Sequence, residues 1–501
     1  MFTAHPPDQS ATPYTDALLR HRDALRAPFM IPGHSANLWG SSGRLVGFMG
    51  SDAVTLDIPQ LLPGVDLEAD SPYEQSRQLA AAAWNAQRTW FLTNGASQGN
   101  RMALIAAQAL GEVIIAQRSM HSSFFDGLVV SGLAPRFVNP TIDPVHGIAH
   151  GVAPQQVESA LAAAAAAGEK VAAVAIVSPS YFGAVSDVAS IAEVSHRYGA
   201  PLIVDASWGA HFGFHPGYPA SPTTLGADIV VSSVHKLGGS LTQTAMLHLV
   251  EGTFSEELHT HLERAFRLTE STSPNSLLLA SLDIARAELA SNPEAHQASL
   301  DAAHRGRDLV RASRTLRLPD DDFRLAPGVI ELDPLHLAVD IRGTGLTGPA
   351  IKRLLGDEHG VFVEIASEHA IVALVGAGQN ARVELLIDAL DSIAQGVGSA
   401  SPGPGETPTA PTPPSAGESV MTPRQAYFAA SELVSARDAV GRVSADLLAA
   451  YPPGVPNVVP GERLTATALD FLRAVTQRPS GYVRGAVDPD LSRLRVVRDT
   501  R

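Results

Sequence analysis

Two residues of the sequence, Asp205 and Lys236, carry side chains whose chemistry is useful at a catalytic site. Asp205 ends the short apolar run 202–204, and Lys236 follows soon after a second apolar run, 229–231. Short apolar runs bounded by turn residues are typical of buried parallel strands. Because ligands of parallel sheets bind beyond the carboxyl ends of the strands, we expect the carboxylate and the amine to face one site.

This pair of side chains suits one cofactor in particular, pyridoxal 5'-phosphate (PLP). PLP needs a lysine amine for its covalent attachment and a carboxylate that keeps its ring nitrogen protonated. Taken singly, such residues are more often a solvated lysine and an ordinary loop aspartate. Here both close apolar runs, and Lys236 is followed by the turn Gly238-Gly239-Ser240. The sequence therefore predicts that Lys236 binds PLP and that Asp205 contacts the ring nitrogen.

The segment around the lysine, Ser-Val-His-Lys-Leu-Gly-Gly-Ser-Leu-Thr-Gln at 233–243, resembles the Orn/Lys/Arg decarboxylase family of fold-type I PLP enzymes. It is most similar to the short bacterial arginine decarboxylases of that family. The resemblance implies that the cofactor in this part of the chain contacts Asp205, Ser207, Trp208, Ser233, His235 and Lys236. One departure is Ser207, which stands where the family has an alanine against the ring.

A second candidate contact to the cofactor lies where an early strand leads into a helix. The sequence predicts a strand over 90–93, a turn over 94–100 and a helix over 101–109. Backbone amides at a helix N-terminus, with a small hydroxyl, bind a phosphate dianion, although Asn94 or Ser97 could simply cap the helix. The family has Gly-Thr-Ser-Thr at this place. The resemblance therefore implies a phosphate site formed by Gly95, Ala96, Ser97 and Gln98.

Four further segments match the family. His121 follows a predicted strand and matches a histidine that stacks on the cofactor ring, although it could instead cap a helix. Ser180 lies in a turn that faces the cofactor in the family. The segment 271–273, which contains Thr272, matches one that reaches the phosphate of a neighbouring subunit, and an N-cap is equally consistent with it. His34 is equally consistent with a structural role and with a place near the site.

Strand and helix signals alternate through much of the chain, which predicts an α/β fold with a mostly parallel sheet, right-handed crossovers and helices on both faces. The resemblance identifies this as the aspartate aminotransferase-like fold of type I. The predicted parts are an N-terminal segment 1–70, a large PLP-binding domain 71–290, a small α+β domain 291–395, a Pro/Gly/Ser-rich linker 396–419 and a C-terminal α+β domain 420–501. Weaker signals predict a helix over 262–268 and a strand over 361–364.

The last predicted domain contains a proline-rich loop, 451–456, and then Pro460-Gly461-Glu462. Both strongly resemble the family's C-terminal domain. The prolines would hold Glu462 at a fixed position, facing either solvent or the substrate. Because a buried cation needs a carboxylate partner, we predict that Glu462 binds the cationic end of the substrate.

The composition narrows the possible partners. The chain has 501 residues, a net charge of −15 and no cysteine. The acidic balance argues against nucleic acid and anionic membranes, and the missing cysteines exclude disulfides and thiolate chemistry. No signal peptide, membrane span or metal site is evident, so we expect a cytoplasmic protein without a metal.

Together these features predict the PLP-dependent decarboxylation of a basic amino acid, most simply L-arginine to agmatine and CO2, by a homodimer or higher homo-oligomer. A proton would return to the substrate Cα from Lys236 or His235. Lysine and ornithine are alternative substrates. Two different functions are also consistent with a PLP site: that of another fold-type I enzyme, such as an aminotransferase or aldolase, and that of a catalytically silent PLP-binding regulator. The C-terminal domain argues against the former, and the intact Asp205 and Lys236 against the latter.

Overall fold

The structure is a computed structural model that describes residues 7–35, 42–396, 416–451, 455–477 and 481–499. Most of the predicted linker and residues 452–454 of the predicted proline-rich loop lie outside these ranges. Within the described ranges, no helix is long and apolar enough to cross a lipid bilayer.

The first part of the chain alternates strands with helices, as the apolar runs predict. Its helices are α1 (Pro13–Ala24), α2 (Gly43–Met49), α3 (Ser51–Leu56), α4 (Pro72–Ala83), α5 (Gly95–Ala107), α6 (Ser122–Ser131), α7 (Pro154–Ala166), α8 (Val188–Arg197), α9 (Val234–Leu237), α10 (Ser255–Thr269) and α11 (Ser276–Ser291). Its strands are β1 (Arg88–Leu92), β2 (Val113–Gln117), β3 (Ala134–Val138), β4 (Val171–Val177), β5 (Ala184–Ser186), β6 (Leu202–Asp205), β7 (Ile229–Ser232) and β8 (Ala245–Leu249).

Seven of these strands form one sheet in the order β1-β8-β7-β6-β4-β2-β3. The five strands from β7 to β3 run parallel, whereas β8 is antiparallel to both of its neighbours, β1 and β7. Strands β2, β6 and β7 are buried along their whole length. Strands covered on both faces read as continuous apolar runs, which is why the sequence revealed them. The prediction of a mostly parallel sheet is confirmed.

Helices cover both faces of the sheet. On one face, α5, α6 and α10 contribute Met102, Phe124 and Leu262 to a core with Ile114. On the other face, α7 and α8 pack Leu161 and Ile191 against β2, β4 and β6. Because the sheet is sandwiched in this way, its strand ends open onto loops, where a site can form.

A smaller unit of helices and antiparallel strands follows. Its helices are α12 (Pro293–Ala312), α13 (Asp320–Arg324), α14 (Gly348–His359) and α15 (Val383–Gly396), and its strands are β9 (Val329–Leu332), β10 (His336–Asp340), β11 (Ile365–Ala366) and β12 (Ala370–Leu374). Three of the strands form a sheet in the order β10-β12-β11. Strand β9 instead pairs with β5, so a two-stranded sheet ties the small unit to the large one.

A buried ion cluster joins the same two units. The His146 ring lies between the carboxylates of Asp143 and Asp340, with Nδ1 3.2 Å from the first and Nε2 3.4 Å from the second. Asp340, at the end of β10, also binds Arg342 through a 2.6 Å contact. The two acidic neighbours raise the pKa of His146 to about 9 against the opposing effect of burial. The raised pKa favours the protonated ring, which lies between Asp143 of the large unit and Asp340 of the small one.

The C-terminal part contains three helices and two small sheets. Its helices are α16 (Pro423–Phe428), α17 (Ala436–Ala439) and α18 (Ala466–Thr476), and its strands are β13 (Ser431–Ser435), β14 (Leu448–Tyr451), β15 (Pro456–Val458), β16 (Tyr482–Arg484) and β17 (Arg493–Val497). The sheets are β13-β17 and β15-β14-β16. Leu469 and Leu472 of α18 pack on Val496 in a core of their own. The domain boundaries given above stay a prediction.

Three local expectations are wrong. Helix α5 begins at Gly95 rather than at Arg101, because the small and polar residues read as a turn form its first turns. Helix α10 spans Ser255–Thr269, twice the predicted length, because its charged first half buries only one narrow apolar face. The segment 361–364 is not a strand, and the two-residue strand β11 follows it.

Candidate active site

Asp205 and Lys236, the two residues predicted to contact the cofactor, lie at or beyond the carboxyl ends of neighbouring parallel strands. Strand β6 ends at Asp205, which is in register with Val231 of β7. Beyond β7 the chain forms the single helical turn α9, which carries Lys236. Helix α5 starts at the end of β1 and packs on the face of the sheet that α6 and α10 also cover. The topology thus brings the carboxylate, the amine and a helix N-terminus to one edge.

The Asp205 carboxylate is buried and held from two sides. Its Oδ2 accepts a 2.9 Å hydrogen bond from Nδ2 of Asn100, on α5. Its Oδ1 accepts from the backbone amide of Ser207 at 3.1 Å and from the Ser207 hydroxyl. Asn100 also donates to Ser123 at the start of α6. These donors hold the carboxylate in one orientation at the end of β6.

Asn100 contacts this site although its sequence context did not reveal it. It lies in the segment interpreted as a phosphate turn, and nothing in its type distinguishes it from a cap residue. The signal was available only once α5 was known to begin at Gly95, because Asn100 then falls on the buried face of the helix. The Ser207 hydroxyl contacts Asp205, and the expected place of Ser207 against the cofactor ring stays a prediction.

Lys236 extends over an aromatic face. Its Nζ lies 3.6 Å from the centre of the Trp208 ring, a cation–π distance. Burial lowers the pKa of Lys236 to about 8, and the negative charges of Asp205 and Glu364 oppose that shift. A lysine with this pKa is neutral in a useful fraction of molecules near physiological pH. The amine is therefore prepared to act as a nucleophile.

The two histidines of the predicted site are held differently. His121 is the N-cap of α6, where its Nδ1 accepts from the amide of Ser123 at 3.2 Å. Burial lowers the pKa of His121 to about 4, with Lys236 and Arg484 acting in the same direction and Asp205 opposing. Nδ1 of His235 lies 2.8 Å from the Thr244 carbonyl oxygen, which requires a proton on that nitrogen. Burial lowers the pKa of His235 as well. The ring-stacking role of His121 stays a prediction.

The predicted phosphate residues occupy the first turn of α5. Gly95 has φ of +70°, a value that favours glycine, and the helix of 13 residues begins there. Ala96 and Ser97 are partly exposed. The Gln98 side chain is buried, and its Nε2 donates to Glu270 at 2.8 Å. The backbone amides and the Ser97 hydroxyl are therefore the candidate phosphate donors, and the Gln98 amide group is engaged elsewhere.

The remaining predicted residues are placed as follows. The Ser180 hydroxyl accepts from the amides of Phe182 and Ala184 and so fixes its own turn. Ser233 is buried immediately before α9. Thr272 lies in an exposed segment before α11. His34 contacts Asp57 at 3.3 Å. Roles for these residues in binding a cofactor stay predictions.

Glu462 has a partner within the protein. It is 2% exposed, and its carboxylate lies 3.0 and 3.2 Å from Nη2 of Arg118. It also accepts from the amide of Val459 at 2.9 Å. Burial raises the pKa of Glu462, and the positive charge of Arg118 opposes the shift. The predicted pairing with a substrate cation stays a prediction, but the cation beside Glu462 here is an arginine of the same chain.

A cavity of about 490 Å³ lies between the three parts of the chain, beside this site. Tyr181 and Ser180 line it from the large part, Tyr451 and Asn457 from the C-terminal part, and Ile365 from the small one. The Tyr181 ring lies 5.9 Å from the Trp208 ring, which connects the cavity wall to the residues around Lys236. In the described part of the chain, no group of three or more acidic or histidine side chains is arranged to hold a metal ion.

Comparisons with known proteins relate the chain to decarboxylases of basic amino acids. The family described as Orn/Lys/Arg decarboxylase, major domain, matches residues 12–319, and its C-terminal domain matches residues 412–481. The arginine decarboxylase of Halalkalibacterium halodurans is 32% identical over 98% of both chains, and that of Bacillus subtilis is 31% identical over 98% of this chain and 99% of its own. A structure of the E. coli constitutive lysine decarboxylase has a TM-score of 0.79 at 21% identity, covering 98% of this chain and 82% of that one. At this identity the last similarity concerns the fold.

Proposed function

The chain belongs to the Orn/Lys/Arg decarboxylase family, and we propose that it is a PLP-dependent enzyme that converts L-arginine to agmatine and CO2. Family membership establishes a decarboxylase of a basic amino acid. The choice of arginine is supported by full-length relatives that are named arginine decarboxylases. The observation that carries the proposal is structural: a buried, hydrogen-bonded Asp205 lies one strand away from Lys236, an amine of lowered pKa.

The residues present suit PLP. Lys236 would supply the amine for covalent attachment, and Asp205 the negative charge for the ring nitrogen. The first turn of α5 offers backbone amides for the phosphate, since a helix N-terminus favours a dianion. When bound, the cofactor supplies an electron sink for the bond that breaks at the substrate Cα. Asn100 and Ser207 hold the Asp205 carboxylate in place through hydrogen bonds.

Proton return to the substrate Cα is assigned to Lys236 or His235. The amine of Lys236, with a pKa of about 8, can hold and release a proton near neutral pH. His235 keeps a proton on Nδ1 for the Thr244 carbonyl, so its Nε2 is the nitrogen that would exchange one. The two residues are adjacent on α9.

For the distal cation of the substrate we favour Glu364 over Glu462. Glu364 has an exposed side chain, and it directly precedes Ile365, which lines the cavity. Burial lowers the pKa of both Lys236 and His235, and the negative charge of Glu364 opposes that shift in each. A carboxylate so placed can receive a guanidinium through two parallel hydrogen bonds.

Assembly and location complete the proposal. PLP sites of this fold type lie between two subunits in the resembling family, and the segment 271–273 would reach the neighbouring site. Those residues are exposed in the single chain. We propose a homodimer as the minimal active unit and a cytoplasmic location.

The deciding experiment compares three substrates. Release of CO2 from carboxyl-labelled arginine, lysine and ornithine is measured with PLP-loaded protein, and Lys236→Ala is the control. We expect arginine to have the largest kcat/KM and the variant to release no CO2 above background. Borohydride reduction followed by peptide mapping should place the cofactor on Lys236. A faster reaction with lysine or ornithine would overturn the arginine assignment, and labelling of another lysine would overturn the site.

A further inference from the structure

One helix of the large domain is contacted by the C-terminal domain at both ends. Helix α6 begins immediately after His121, the residue predicted to stack on the cofactor ring. The loop before the helix binds a glutamate of the C-terminal domain, and the first and last turns of the helix each bind an arginine of that domain. The segment that carries His121 therefore lies between Arg118 and Ser122, and both of these residues contact the C-terminal domain.

The first contact is the buried pair of Arg118 and Glu462. Arg118 follows β2, three residues before His121, and its backbone amide donates to Val138 at 2.8 Å. Its guanidinium lies over the Phe137 ring, 4.8 Å from the ring centre. Burial lowers the pKa of Arg118, and Glu462 opposes that shift. Because each buried charge needs the other as its partner, this pair holds the loop at Arg118 against the C-terminal domain.

Glu462 is itself rigidly placed. Gly461 has φ of +94°, and a Cβ at that position would lie 2.2 Å from the Met421 carbonyl oxygen. The backbone amide of Ser444 donates to the carbonyl oxygen of Glu462, and the amide of Gly461 donates to that of Ser444. The Pro-Gly-Glu sequence therefore delivers the carboxylate to Arg118 from a turn that only glycine permits.

The second and third contacts hold the two ends of α6. Arg484, on β16, donates to the hydroxyl of Ser122 and lies 3.6 Å from Asp126. Arg424, on α16, donates to the carbonyl oxygens of Val129 and Val130 at 3.1 and 2.7 Å. Carbonyl groups in the last turn of a helix have no hydrogen-bond donor within the helix, and Arg424 provides the donors that they lack.

From this arrangement we propose that the C-terminal domain positions His121. Glu462 and Arg484 are positioning residues, which act through Arg118 and Ser122 on the short segment between them. The inference rests on the proposed function only in that His121 is taken to contact the cofactor. It assigns Glu462 to the protein's own arginine instead of the substrate, and it gives Arg484 a role that no sequence motif indicated.

The experiment compares four variants of the PLP-loaded enzyme. Glu462→Gln and Arg484→Met remove the contacts, Arg484→Lys keeps the charge, and Arg493→Gln is a matched control. Arg493 pairs with Asp488 on the exposed surface of the same domain. Two quantities are measured: kcat/KM for arginine, lysine and ornithine, and the NMR signal of the His121 ring in histidine-labelled protein, assigned with His121→Gln.

If the C-terminal domain positions His121, the variants should lose kcat/KM to the same extent with each substrate. Because misplacement of a contacting group by about 1 Å can cost on the order of 100-fold, we expect Glu462→Gln and Arg484→Met to lower kcat/KM by roughly 10- to 100-fold. The ratios among the three substrates should be unchanged. The His121 signal should shift in both variants, recover largely in Arg484→Lys and stay in place in Arg493→Gln.

Two results would overturn the inference. A loss in Glu462→Gln that is confined to arginine would assign this carboxylate to the substrate. A His121 signal that is unmoved in both Glu462→Gln and Arg484→Met would show that the domain does not act on this residue. If Glu462→Gln does not fold, the half-exposed Arg484 still provides the test. The NMR measurement is independent of which amino acid is the substrate, so it separates this inference from a failure of the proposed function.

Discussion

Asn100 and Asp205 form a buried hydrogen bond of 2.9 Å that joins helix α5 to the end of strand β6. The helix offers its N-terminus to the predicted phosphate site, and the strand carries the predicted partner of the ring nitrogen. This bond connects the two parts of the proposed cofactor site. Asn100 also contacts Ser123, so the start of α6 shares the same unit.

We expect Asn100→Ala to reduce both turnover and stability. A hydrogen bond to a charged group contributes about 1.5–3 kcal/mol, and the buried Asp205 would lose one of its donors. The free energy of unfolding in urea should fall by about that amount, and kcat should fall by roughly 10-fold or more. Asn380→Ala, on the exposed surface, is the control. Equal turnover in the two variants would show that Asn100 does not support Asp205.

The lowered pKa of Lys236 can be measured in protein without PLP. We expect the rate of amine labelling at Lys236, followed by mass spectrometry, to be half-maximal near pH 8, because burial lowers its pKa to about 8. Lys352, a surface lysine whose Nζ donates to the backbone carbonyl oxygen of Glu364, is the internal reference. Half-maximal labelling of Lys236 near pH 10.4, the ordinary lysine pKa, would contradict the prediction.

The same shift has a consequence for stability. Between pH 8 and 10.5 the unfolded chain binds the proton that the folded chain has lost, so stability rises with pH in that window. Lys236→Met lacks this dependence. The free energy of unfolding of the variant should therefore exceed that of the parent protein most at pH 7, by at most about 3 kcal/mol. This difference should shrink as pH approaches 10.5.

How far the sequence leads depends on whether a feature is local. The parallel sheet was predictable because strands buried on both faces appear as apolar runs, and Asp205 and Lys236 were found because each follows such a run. The role of Asn100 was not predictable, since its partner lies 105 positions away. The pair of Arg118 and Glu462 was not predictable either, because the two residues are 344 positions apart in the sequence and come together only in the folded chain. Glu462 was therefore assigned to the one cation that the sequence made conspicuous, that of the substrate.

The buried His146 should make stability depend on pH. Its pKa is raised to about 9, so the stabilisation from its protonated form is fully present below pH 6.5 and is lost as pH rises through 9. His146 faces Asp143 and Asp340, with Arg342, His150 and His369 nearby. We expect His146→Gln to lower the free energy of unfolding by about 2–3 kcal/mol more at pH 6 than at pH 9.5.

The control for this prediction is His259→Gln, which changes a half-exposed histidine of α10. Its effect should stay within about 0.5 kcal/mol at either pH. Urea unfolding of both variants and the parent protein is measured in matched buffers. A His146→Gln effect of the same size at the two pH values would mean that the ring is not a cation between the two carboxylates.

The substrate cation gives the last prediction, and it concerns Glu364. This carboxylate belongs to an exposed residue that directly precedes Ile365, a lining residue of the cavity, and its charge acts on Lys236 and His235. Glu364→Gln keeps the size of the side chain and removes the charge. A hydrogen-bonded ion pair lost in this way costs about 1.5–3 kcal/mol, so kcat/KM for arginine should fall by roughly 10- to 100-fold. Because only a guanidinium can bind a carboxylate through two parallel bonds, lysine should lose less and the preference for arginine should narrow.

Glu358→Gln on α14 is the matched control for Glu364→Gln, since it too changes an exposed glutamate of the small domain. Both variants should unfold within about 0.5 kcal/mol of the parent protein, because neither removes a buried contact. The control should also keep the arginine-to-lysine ratio of the parent enzyme, because its carboxylate does not act on the reactive amine. If Glu364→Gln leaves that ratio unchanged while Glu462→Gln alters it, the distal cation binds Glu462 and the assignment to Glu364 is wrong.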